Sequence, residues 1–591
     1  ILLSNAAGAL VERVTVAGGR TVVSASGAAG LVVRDLAATS IRGDGIAVDT
    51  SPGARFERVT LGARDVGLRL ATSPDSTVSE LSASGHQDEG VIVSGSDRVA
   101  LEDVDLSGGS RGLVLSGGTC LRVERATLAG ARGGLVATSA AGIVIRDLSM
   151  TGLVVGGVSI ASSPDTVLER ISAAGGEDAV SAIASPRLAL ADLSATGGTG
   201  AGVVLSSSDH ASVERVTVVD AGRLLGATLS PGLSVSEVSA TGLSGRGLEV
   251  VGSESSVFED VTLGDVDGDG VFLGTSPGSR LERVAVTGAG GDAIAAESSA
   301  GLVVRGLDAS GHAGSAVRLL ASAGVTIEDS TADGGTHGVR GEGVDGIVVA
   351  ASSFTEVSSD GLLLAGATGA VIDDVRVDDA GVNGISIVRA SGVYLRNNRV
   401  ARVGEWGISI DDSTPPAPPA RDGNVVAFNT IWQAARFSSA AGGIRFASAS
   451  GEIRDNVVVA VGGSVVKTDL APSVVHHNVL FGGARTFDSK SGEEPIRRAN
   501  RVADPLLVDP ERSDFSLRQV AAGEAGDSPA RDAGSGRVAT LDIGGSTRSD
   551  GIGDAGLADA GWHAEAPDRG TRPAIAFVSP HGLGNTLHVD G

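Results

Sequence analysis

The sequence is poor in the residues that cross-link a chain or fill a bulky core. Its 591 residues include one cysteine, Cys120, one methionine and only 15 aromatic residues. A single cysteine excludes an intrachain disulfide, so packing and backbone hydrogen bonds must stabilise the fold. The sequence contains no run of roughly 18 uncharged apolar residues, so no membrane span is predicted. No signal peptide is recognised at the start of the chain, which begins with Ile1. We therefore interpret the chain as a processed or excised piece of a longer protein.

Basic residues are also fewer than acidic ones. The chain has 46 basic and 71 acidic residues, which gives a net charge of −25. Such a charge repels nucleic acid, anionic membranes and polyuronates unless cations or local patches intervene, so we predict no nucleic-acid partner. Abundant residues are small: there are 88 glycines, with many valines, leucines, alanines and serines. Thin layers of small aliphatic side chains are typical of a solenoid.

A short motif repeats along most of the chain: an aliphatic residue, a usually charged pair and another aliphatic residue. Its first residue, the anchor, recurs at steps of 22 or 23 residues, which lies within the range typical of repeat architectures. The anchors are Val11, Val33, Phe56, Val78, Leu101, Val123, Ile145, Leu168, Leu190, Val213, Val235, Phe258, Leu281, Val304, Ile327, Val349, Ile372 and Leu395. Three more, Val426, Ile453 and Val475, follow after steps of 31, 27 and 22 residues, so the first two of these steps contain insertions.

Each repeat predicts three short β-strands. Apolar residues alternate with small or polar ones, as in Gly112–Ser116, which is the period of half-buried strands. Glycine precedes the first strand of many repeats, as in Asp360-Gly361, and provides the positive φ of a tight corner. The repeats show no helical periodicity. The pattern therefore predicts a three-sided coil of parallel strands, with about 21 coils in a rod on the order of 100 Å long.

Equivalent positions of stacked coils form columns along the rod. In the column two residues after each anchor, Arg alternates with Asp or Glu, which predicts salt bridges between coils; its members are Arg13, Asp35, Arg58, Glu80, Asp103, Arg125, Asp147, Arg170, Asp192, Arg215, Glu237, Asp260 and Arg283. The column one residue further is apolar from Val14 to Leu307 and then turns polar. It ends in Asn398, Asn429, Asn456 and Asn478, for which we predict a ladder of amide hydrogen bonds.

The C-terminal part carries the most specific family signal. The strings Ala503–Pro510, Asp514–Arg518, Ser528–Gly534 and Asp542–Arg548 resemble the segment that caps bacterial secreted β-helices. With the repeats, they make residues 1 to about 560 similar to right-handed β-helix proteins of the pectate-lyase-like superfamily. The resemblance implies an all-β, single-stranded right-handed parallel β-helix with a C-terminal cap, in a secreted or cell-surface setting. Because the superfamily contains lyases, hydrolases, epimerases and adhesins, the fold does not decide the function.

The same reading divides the chain into four parts. Regular coils are predicted for residues 1–405, and the last coils, with insertions and an aromatic cluster, for residues 406–500. Residues 501–560 are predicted to form the cap. Residues 561–591 are predicted to be a linker and the start of a possible further domain, because Ile575–Gly582 looks like another opening strand.

The first candidate site is aromatic. Six aromatic residues cluster around the proline-rich insertion Asp412–Pro419, namely Tyr394, Trp406, Phe428, Trp432, Phe437 and Phe446. We predict a glycan-binding surface there, because aromatic rings beside polar groups suit sugars; its predicted residues are Tyr394, Arg396, Trp406, Trp432 and Phe428. The alternative is a small aromatic core that orders the insertion.

The second candidate site lies on the same coils. His477 should stand one coil away from Asp455, with Arg454 and His476 beside them. A histidine oriented by a carboxylate and flanked by arginine could act as a general base, with the arginine as a uronate clamp. The alternative is that these four residues merely continue the ladder of paired charges. The motifs expected of polygalacturonases and pectate lyases are not matched.

A third candidate site is a calcium site. Asp265-Val-Asp-Gly-Asp-Gly270 matches the first half of a calcium loop, so Asp265, Asp267 and Asp269 are its predicted ligands. The twelfth position of the motif is Ser276 instead of an acidic residue, and the alternative is an acidic, glycine-rich turn.

Two functions remain open from the sequence. One is an extracellular structural or adhesive rod, which could bind a cell-surface glycan and continue into further domains of the same polypeptide or a fibre. The other is a polysaccharide lyase, epimerase or hydrolase with a cleft over residues 394–480.

Overall fold

A computed structural model describes residues 1–389, 391–411, 423–449, 451–469, 473–490, 494–541 and 543–564. The predicted proline-rich insertion and most of residues 561–591 lie outside this described part of the chain.

Almost all of the regular secondary structure in the described residues is β-strand. The strands of the first half are β1 Leu2–Ser4, β2 Leu10–Ala17, β3 Val23–Ser26, β4 Val32–Ile41, β5 Ile46–Asp49, β6 Arg55–Ala63, β7 Leu68–Ala71, β8 Thr77–Ser84, β9 Glu89–Ser94, β10 Ala100–Ser107, β11 Arg111–Ser116, β12 Arg122–Ala129, β13 Gly133–Thr138, β14 Val144–Leu153, β15 Gly156–Ala161, β16 Val167–Gly175, β17 Asp178–Ile183, β18 Ala189–Thr196, β19 Ala201–Ser206, β20 Ser212–Val219, β21 Arg223–Thr228, β22 Ser234–Leu243, β23 Leu248–Val251, β24 Val257–Val266, β25 Val271–Gly274, β26 Arg280–Ala289 and β27 Ile294–Glu297. The strands of the second half are β28 Val303–Ser310, β29 Ser315–Leu320, β30 Thr326–Glu328, β31 Thr331–Asp333, β32 His337–Glu342, β33 Val348–Ala350, β34 Ser353–Thr355, β35 Leu362–Ala365, β36 Val371–Asp373, β37 Arg376–Asp378, β38 Ile385–Val388, β39 Tyr394–Arg396, β40 Arg399–Ala401, β41 Ile408–Asp411, β42 Asn424–Ala427, β43 Thr430–Ala434, β44 Gly442–Ala447, β45 Gly451–Arg454, β46 Val457–Ala460, β47 Ser464–Thr468, β48 Val474–His476, β49 Val479–Gly482, β50 Arg485–Ser489, β51 Ile496–Arg498, β52 Arg501–Val502, β53 Leu507–Asp509 and β54 Asp514–Leu517. The helical pieces are two 3₁₀ turns, Pro510–Arg512 and Val520–Ala522, and one α-helical turn, Val538–Leu541.

The strands stack in parallel, coil upon coil, as the repeats predict. One sheet contains 22 strands, from β1 to β50, and thirty further strands form the other two sides of the coil. Anchors face anchors: Leu101 pairs with Val123, and Val123 pairs with Ile145. The inward side chains of all coils form one continuous hydrophobic core. The predicted parallel β-helix of about 21 coils is confirmed.

A sharp bend at the second residue after the anchor makes two sides out of one long strand. Arg215 in β20 has a φ of 51°, and the same column is left-handed in coil after coil. The bend points the charged side chain outwards, where Arg215 Nε and Nη2 donate to the two carboxylate oxygens of Asp192 at 2.7 and 3.2 Å. Four further arginines of this column make the same forked contact with the preceding aspartate; they are Arg58, Arg125, Arg170 and Arg283. The predicted charge ladder is confirmed.

A second ladder lies at another corner and was not predicted. Serines that follow the strands of the 22-stranded sheet are fully buried, and each side-chain oxygen accepts a hydrogen bond from the backbone N–H of the preceding coil. Ser185 N donates to Ser208 Oγ at 3.2 Å, and Ser208 N donates to Ser230 Oγ at 3.1 Å. Unbroken links of this kind run from Ser163 to Ser322. The ladder satisfies buried N–H groups that the corner takes out of strand pairing.

The predicted asparagine ladder is present in the core of the last coils. The side-chain oxygens of Asn429, Asn456 and Asn478 each accept both the backbone and the side-chain N–H of the asparagine one coil before, at 2.8–2.9 Å. Asn500 adds a further step, at 3.1 and 2.9 Å from Asn478.

The segment after the last coil packs against the side of the rod. Residues 503–564, called the cap here, begin with the antiparallel pair β53–β54. Their apolar side chains, among them Phe515, Leu517 and Ala560, bury Val457 and Val479 of the coils. Among the described residues nothing covers the last coil, since Ile496 and Val502 are 45% and 64% exposed. The cap therefore covers a flank of the β-helix and leaves its end accessible.

Candidate functional site

The cap covers the outward corner column of three consecutive coils, the coils in which the sequence predicted a site. Asn397 and His563 exchange hydrogen bonds of 2.6 and 3.0 Å. Phe428 meets the His563 ring edge-to-face, with the ring centroids 5.6 Å apart. Asp455, on the next coil, accepts from the backbone N–H and the hydroxyl of Ser535 at 2.7 and 2.8 Å. These contacts fix the cap along the rod axis.

An arginine is enclosed between the cap and the neighbouring side of the coils. The guanidinium carbon of Arg399 lies 5.0 Å from the ring centroid of Phe515 and 5.2 Å from that of Trp562. Burial lowers the pKa of Arg399 to about 10. Trp562 Nε1 donates to Asp374 Oδ1 at 3.1 Å, and Trp432 packs edge-to-face on Phe515. The aromatic residues of this region thus form a small core that holds the cap.

The predicted glycan-binding residues are not brought together on one open surface. Phe428, Trp432 and Trp406 are buried, with exposed fractions of 1%, 7% and 6%. Tyr394 and Arg396 are half-buried on β39, where Arg396 pairs with Asp373 at 2.7 Å. Because the cap buries Ala427 on the next coil, it separates Tyr394 and Arg396 from the histidine pair further along the rod. Phe428 and Trp432 pack against the cap, whereas the insertion that the alternative concerns lies outside the described residues.

The predicted catalytic set is rearranged. Asp455 is completely buried and is bound by Ser535 and by Arg454, which lies 2.6 Å from it, so it does not orient His477. The carboxylate that takes this place is Glu452, on the outward face of β45. Glu452 Oε1 lies 2.6 Å from His476 Nε2, and His476 Nδ1 lies 2.8 Å from His477 Nδ1. The three side chains form a hydrogen-bonded chain, called the Glu–His–His chain here.

The hydrogen bonds of this chain restrict its protonation. One proton must lie between the two Nδ1 atoms, and the Nε2–H of His476 points at a carboxylate. The hydrogen bond with His476 lowers the pKa of Glu452, which therefore stays ionised. Burial, followed by the neighbouring His476, lowers the pKa of His477. When His477 Nδ1–H donates its hydrogen bond to His476 Nδ1, the neutral His477 ring carries no hydrogen on Nε2, and this nitrogen can accept a proton from a bound molecule.

The last coil differs from the rest of the rod in its charges. Arginines of the regular coils are mostly paired with carboxylates, whereas Arg497, Arg498 and Arg501 have no carboxylate partner within the described residues. Arg497 stacks on Phe487, with 4.4 Å between the guanidinium carbon and the ring centroid, and Arg501 donates to the carbonyl of Pro529 in the cap. All three arginines are exposed. They lie next to the Glu–His–His chain, because Arg454, His476 and Arg498 are in register on β45, β48 and β51.

The predicted calcium ligands are not gathered into an ion site. Asp269 accepts the backbone N–H of Asp292 at 3.0 Å and pairs with Arg246 at 3.2 Å. Nowhere in the described ranges do three or more His, Cys, Asp or Glu side chains form a group able to hold a metal. Calcium binding by Asp265, Asp267 and Asp269, called the acidic corner here, stays a prediction.

Sequence reasoning overlooked two parts of this region. Glu452 lies on the outward face of β45, as strand alternation predicts. It pairs with His476, whereas the sequence predicted a carboxylate partner for His477, in the neighbouring column. The unpaired arginines of the last coil could have been found from the sequence, because residues 473–502 contain five cationic and three acidic residues in a strongly acidic chain.

Comparison with known proteins found similar solved structures at low sequence identity. The A-module of Azotobacter vinelandii mannuronan C-5 epimerase AlgE4 is 12% identical, with 55% of this chain and 88% of that chain covered and a TM-score of 0.28. The catalytic domain of a GH87 α-1,3-glucanase is 10% identical (65% and 61% covered, TM-score 0.29). The receptor-binding domain of the siphovirus 9NA tailspike is 9% identical (58% and 72%, TM-score 0.30).

None of the curated proteins searched matches the chain. The described part of the chain contains no helix with the length and hydrophobicity of a membrane span. The expected resemblance to right-handed β-helix repeat proteins is confirmed. Over residues 249–459, which are less than half of the chain, the sequence matches the family of NosD, the periplasmic copper-binding protein.

Proposed function

We propose that this protein is an extracellular or cell-surface structural rod whose C-terminal end serves in adhesion, with glycans as the candidate partners. The observation that carries the proposal is the flank packing of the cap. It buries Phe428, Trp432 and Asp455 in the region where the sequence suggested a cleft, and it leaves the end of the last coil open.

The rod itself supports the structural part of the proposal. Three ladders, of charged pairs, serines and asparagines, link neighbouring coils along the axis. Such links oppose slippage between similar coils, because a shifted register would separate every donor from its acceptor. A β-helix whose coils are linked in this way along its axis suits a spacer that holds a binding surface away from its attachment point. The match to a periplasmic family agrees with a location outside the cytoplasm.

The proposal is tested by incubation of the protein with neutral and acidic polysaccharides. We expect retention of the protein on a polysaccharide column without release of reducing ends or unsaturated products. Reproducible product release would contradict the non-catalytic rod. Absence of retention on every polysaccharide would contradict the adhesive part alone.

A polysaccharide lyase, epimerase or hydrolase is the second candidate, and the Glu–His–His chain is the observation that favours it. A carboxylate that orients a histidine is a common means of making a general base, and here a second histidine extends the chain towards solvent. Arg498, in register with His476, could pair with a sugar carboxylate.

Substitution of the chain tests this candidate. If product release is found, His477→Gln and Glu452→Gln should each lower the rate at least about 100-fold, which is the usual contribution of a general base. His210, an exposed histidine of the regular coils, provides the matched control His210→Gln. Equal rates in His477→Gln and His210→Gln would remove this site from consideration, and unchanged melting temperatures would show that the variants are folded.

A further inference from the structure

The last coil reverses the charge of the molecule. Residues 473–502 contain five cations and three acidic residues, a net charge of +2, so the remainder of the chain carries −27. The five cations, called the basic end here, are Arg485, Lys490, Arg497, Arg498 and Arg501. All five are exposed. A positive surface on a strongly acidic protein attracts anions to this one place.

Within the described residues, the positive charge of the basic end is largely unpaired. Of its five members only Arg485 pairs with a described carboxylate, that of Asp488 at 3.3 Å. In the regular coils, by contrast, Arg58, Arg125 and Arg170 each bind both oxygens of an aspartate. The guanidinium groups of Arg497 and Arg498 are therefore free to form forked hydrogen bonds with a carboxylate from another molecule.

The strands of the last coil also have open edges, where their backbone groups could pair with a further strand. Along the rod each strand pairs with the strand of the next coil, but β50, β51 and β52 pair on one side only within the described residues. The end of the stacked core does not favour association with another apolar surface, because Arg497 occupies the anchor position and covers Phe487. Charge at an open edge opposes the addition of another strand. The basic end is thus better suited to a charged, hydroxyl-rich ligand than to a further coil.

We infer that the basic end binds a carboxylated polysaccharide, whose carboxylates pair with Arg498 and its neighbours. This inference rests on the adhesive role proposed above and names the class of its ligand. His477, one coil away from Arg498, provides a ring nitrogen for sugar hydroxyls, and Glu452, two coils away, provides a carboxylate. Single-stranded nucleic acid fits less well, because its bases stack on open aromatic rings, and Phe487 beside Arg497 is already covered by that guanidinium group.

The test compares polygalacturonate with its fully methyl-esterified form, which has the same sugar without the charge. Binding of each to the full chain is measured by isothermal titration calorimetry at several salt concentrations. We expect binding of polygalacturonate that weakens as salt rises, and no binding of the ester. Dextran sulfate and a single-stranded oligothymidylate serve as polyanions of other classes, and both should bind more weakly than polygalacturonate.

Two charge-reversed variants locate the site. Lys490→Glu/Arg498→Glu changes exposed side chains of the basic end, and we expect polygalacturonate to bind about tenfold more weakly or worse, since two charge-assisted contacts are lost. Arg42→Glu/Arg55→Glu makes the same change in net charge at two exposed arginines near the other end of the rod, and it should bind like the unchanged protein.

Several results would overturn the inference. One is equal affinity of the two variants, and another is equal affinity for polygalacturonate and its ester. Tighter binding of dextran sulfate or oligothymidylate would show attraction by charge alone or a nucleic-acid partner. Retention of the ester but not of the acid would leave the adhesive function standing and remove this ligand class, whereas failure of every polysaccharide to bind would remove both.

Discussion

Replacement of one asparagine in the buried ladder should destabilise the last coils more than the small size of the side chain suggests. Asn429 is fully buried, and its side-chain oxygen accepts two hydrogen bonds from Asn398, at 2.8 Å from the backbone nitrogen and 2.9 Å from the side-chain nitrogen. Its side-chain nitrogen donates to the oxygens of Leu395, Ala427 and Asn456. Asn429→Ala removes all of these contacts at once.

The size of this destabilisation follows from the hydrogen-bond donors that lose their acceptor. Two N–H groups of Asn398 lose their acceptor in a place that water does not reach, and each unsatisfied buried donor costs about 1–3 kcal/mol. We therefore expect Asn429→Ala to lower the free energy of unfolding by about 2–6 kcal/mol. Asn500→Ala is the matched control, because Asn500 makes the same contacts with Asn478 at the partly exposed end of the ladder, where water can replace them.

Two measurements report the effect. Denaturant unfolding gives the change in stability, and hydrogen exchange of the Asn398 amide reports the local loss of protection. The reasoning would be refuted if Asn429→Ala cost no more than Asn500→Ala while the Asn398 amide kept its protection.

Three further predictions concern the core, the pH response and calcium. Val216→Asp places an unpaired carboxylate at a position that is 1% exposed and should lower the free energy of unfolding by several kcal/mol. Arg215→Ala removes an exposed ion pair with Asp192 and should lower it only slightly. The reverse order in denaturant unfolding would contradict the assignment of inward and outward faces. Burial lowers the pKa of His86 and His312, so the unfolded chain takes up protons first and stability should fall as the pH drops below about 6.5. His312→Gln should reduce that drop between pH 7.5 and pH 5.5, and an unchanged drop would exclude this histidine as a source. If the acidic corner binds calcium, the melting temperature should rise with free calcium and EDTA should reverse it; a flat response would leave only a turn.

Periodicity in the amino-acid sequence is enough to specify the regular part of the rod. Residues one repeat apart become neighbours in space, so the spacing of Val11, Val33 and Phe56 already places them in one column of the core. The same reasoning found the partners of Arg215 and Asn429, since each bonds to the equivalent residue of the coil before it. The serine ladder follows the same rule and was missed only because its column was not read.

The position of the cap, in contrast, depends on contacts between residues far apart in the sequence. Trp562 meets Asp374 across 188 residues, and His563 meets Asn397 across 166, so no repeat spacing relates these partners. Their contact depends on how residues 503–564 turn back along the flank, and it decides which outward residues water can reach. Asp455 and His477 stand in the same column of neighbouring coils, yet the cap buries the first and leaves the second half-exposed. Periodicity can assign a side chain to the outer face, but only the packing of distant segments determines whether that face is open.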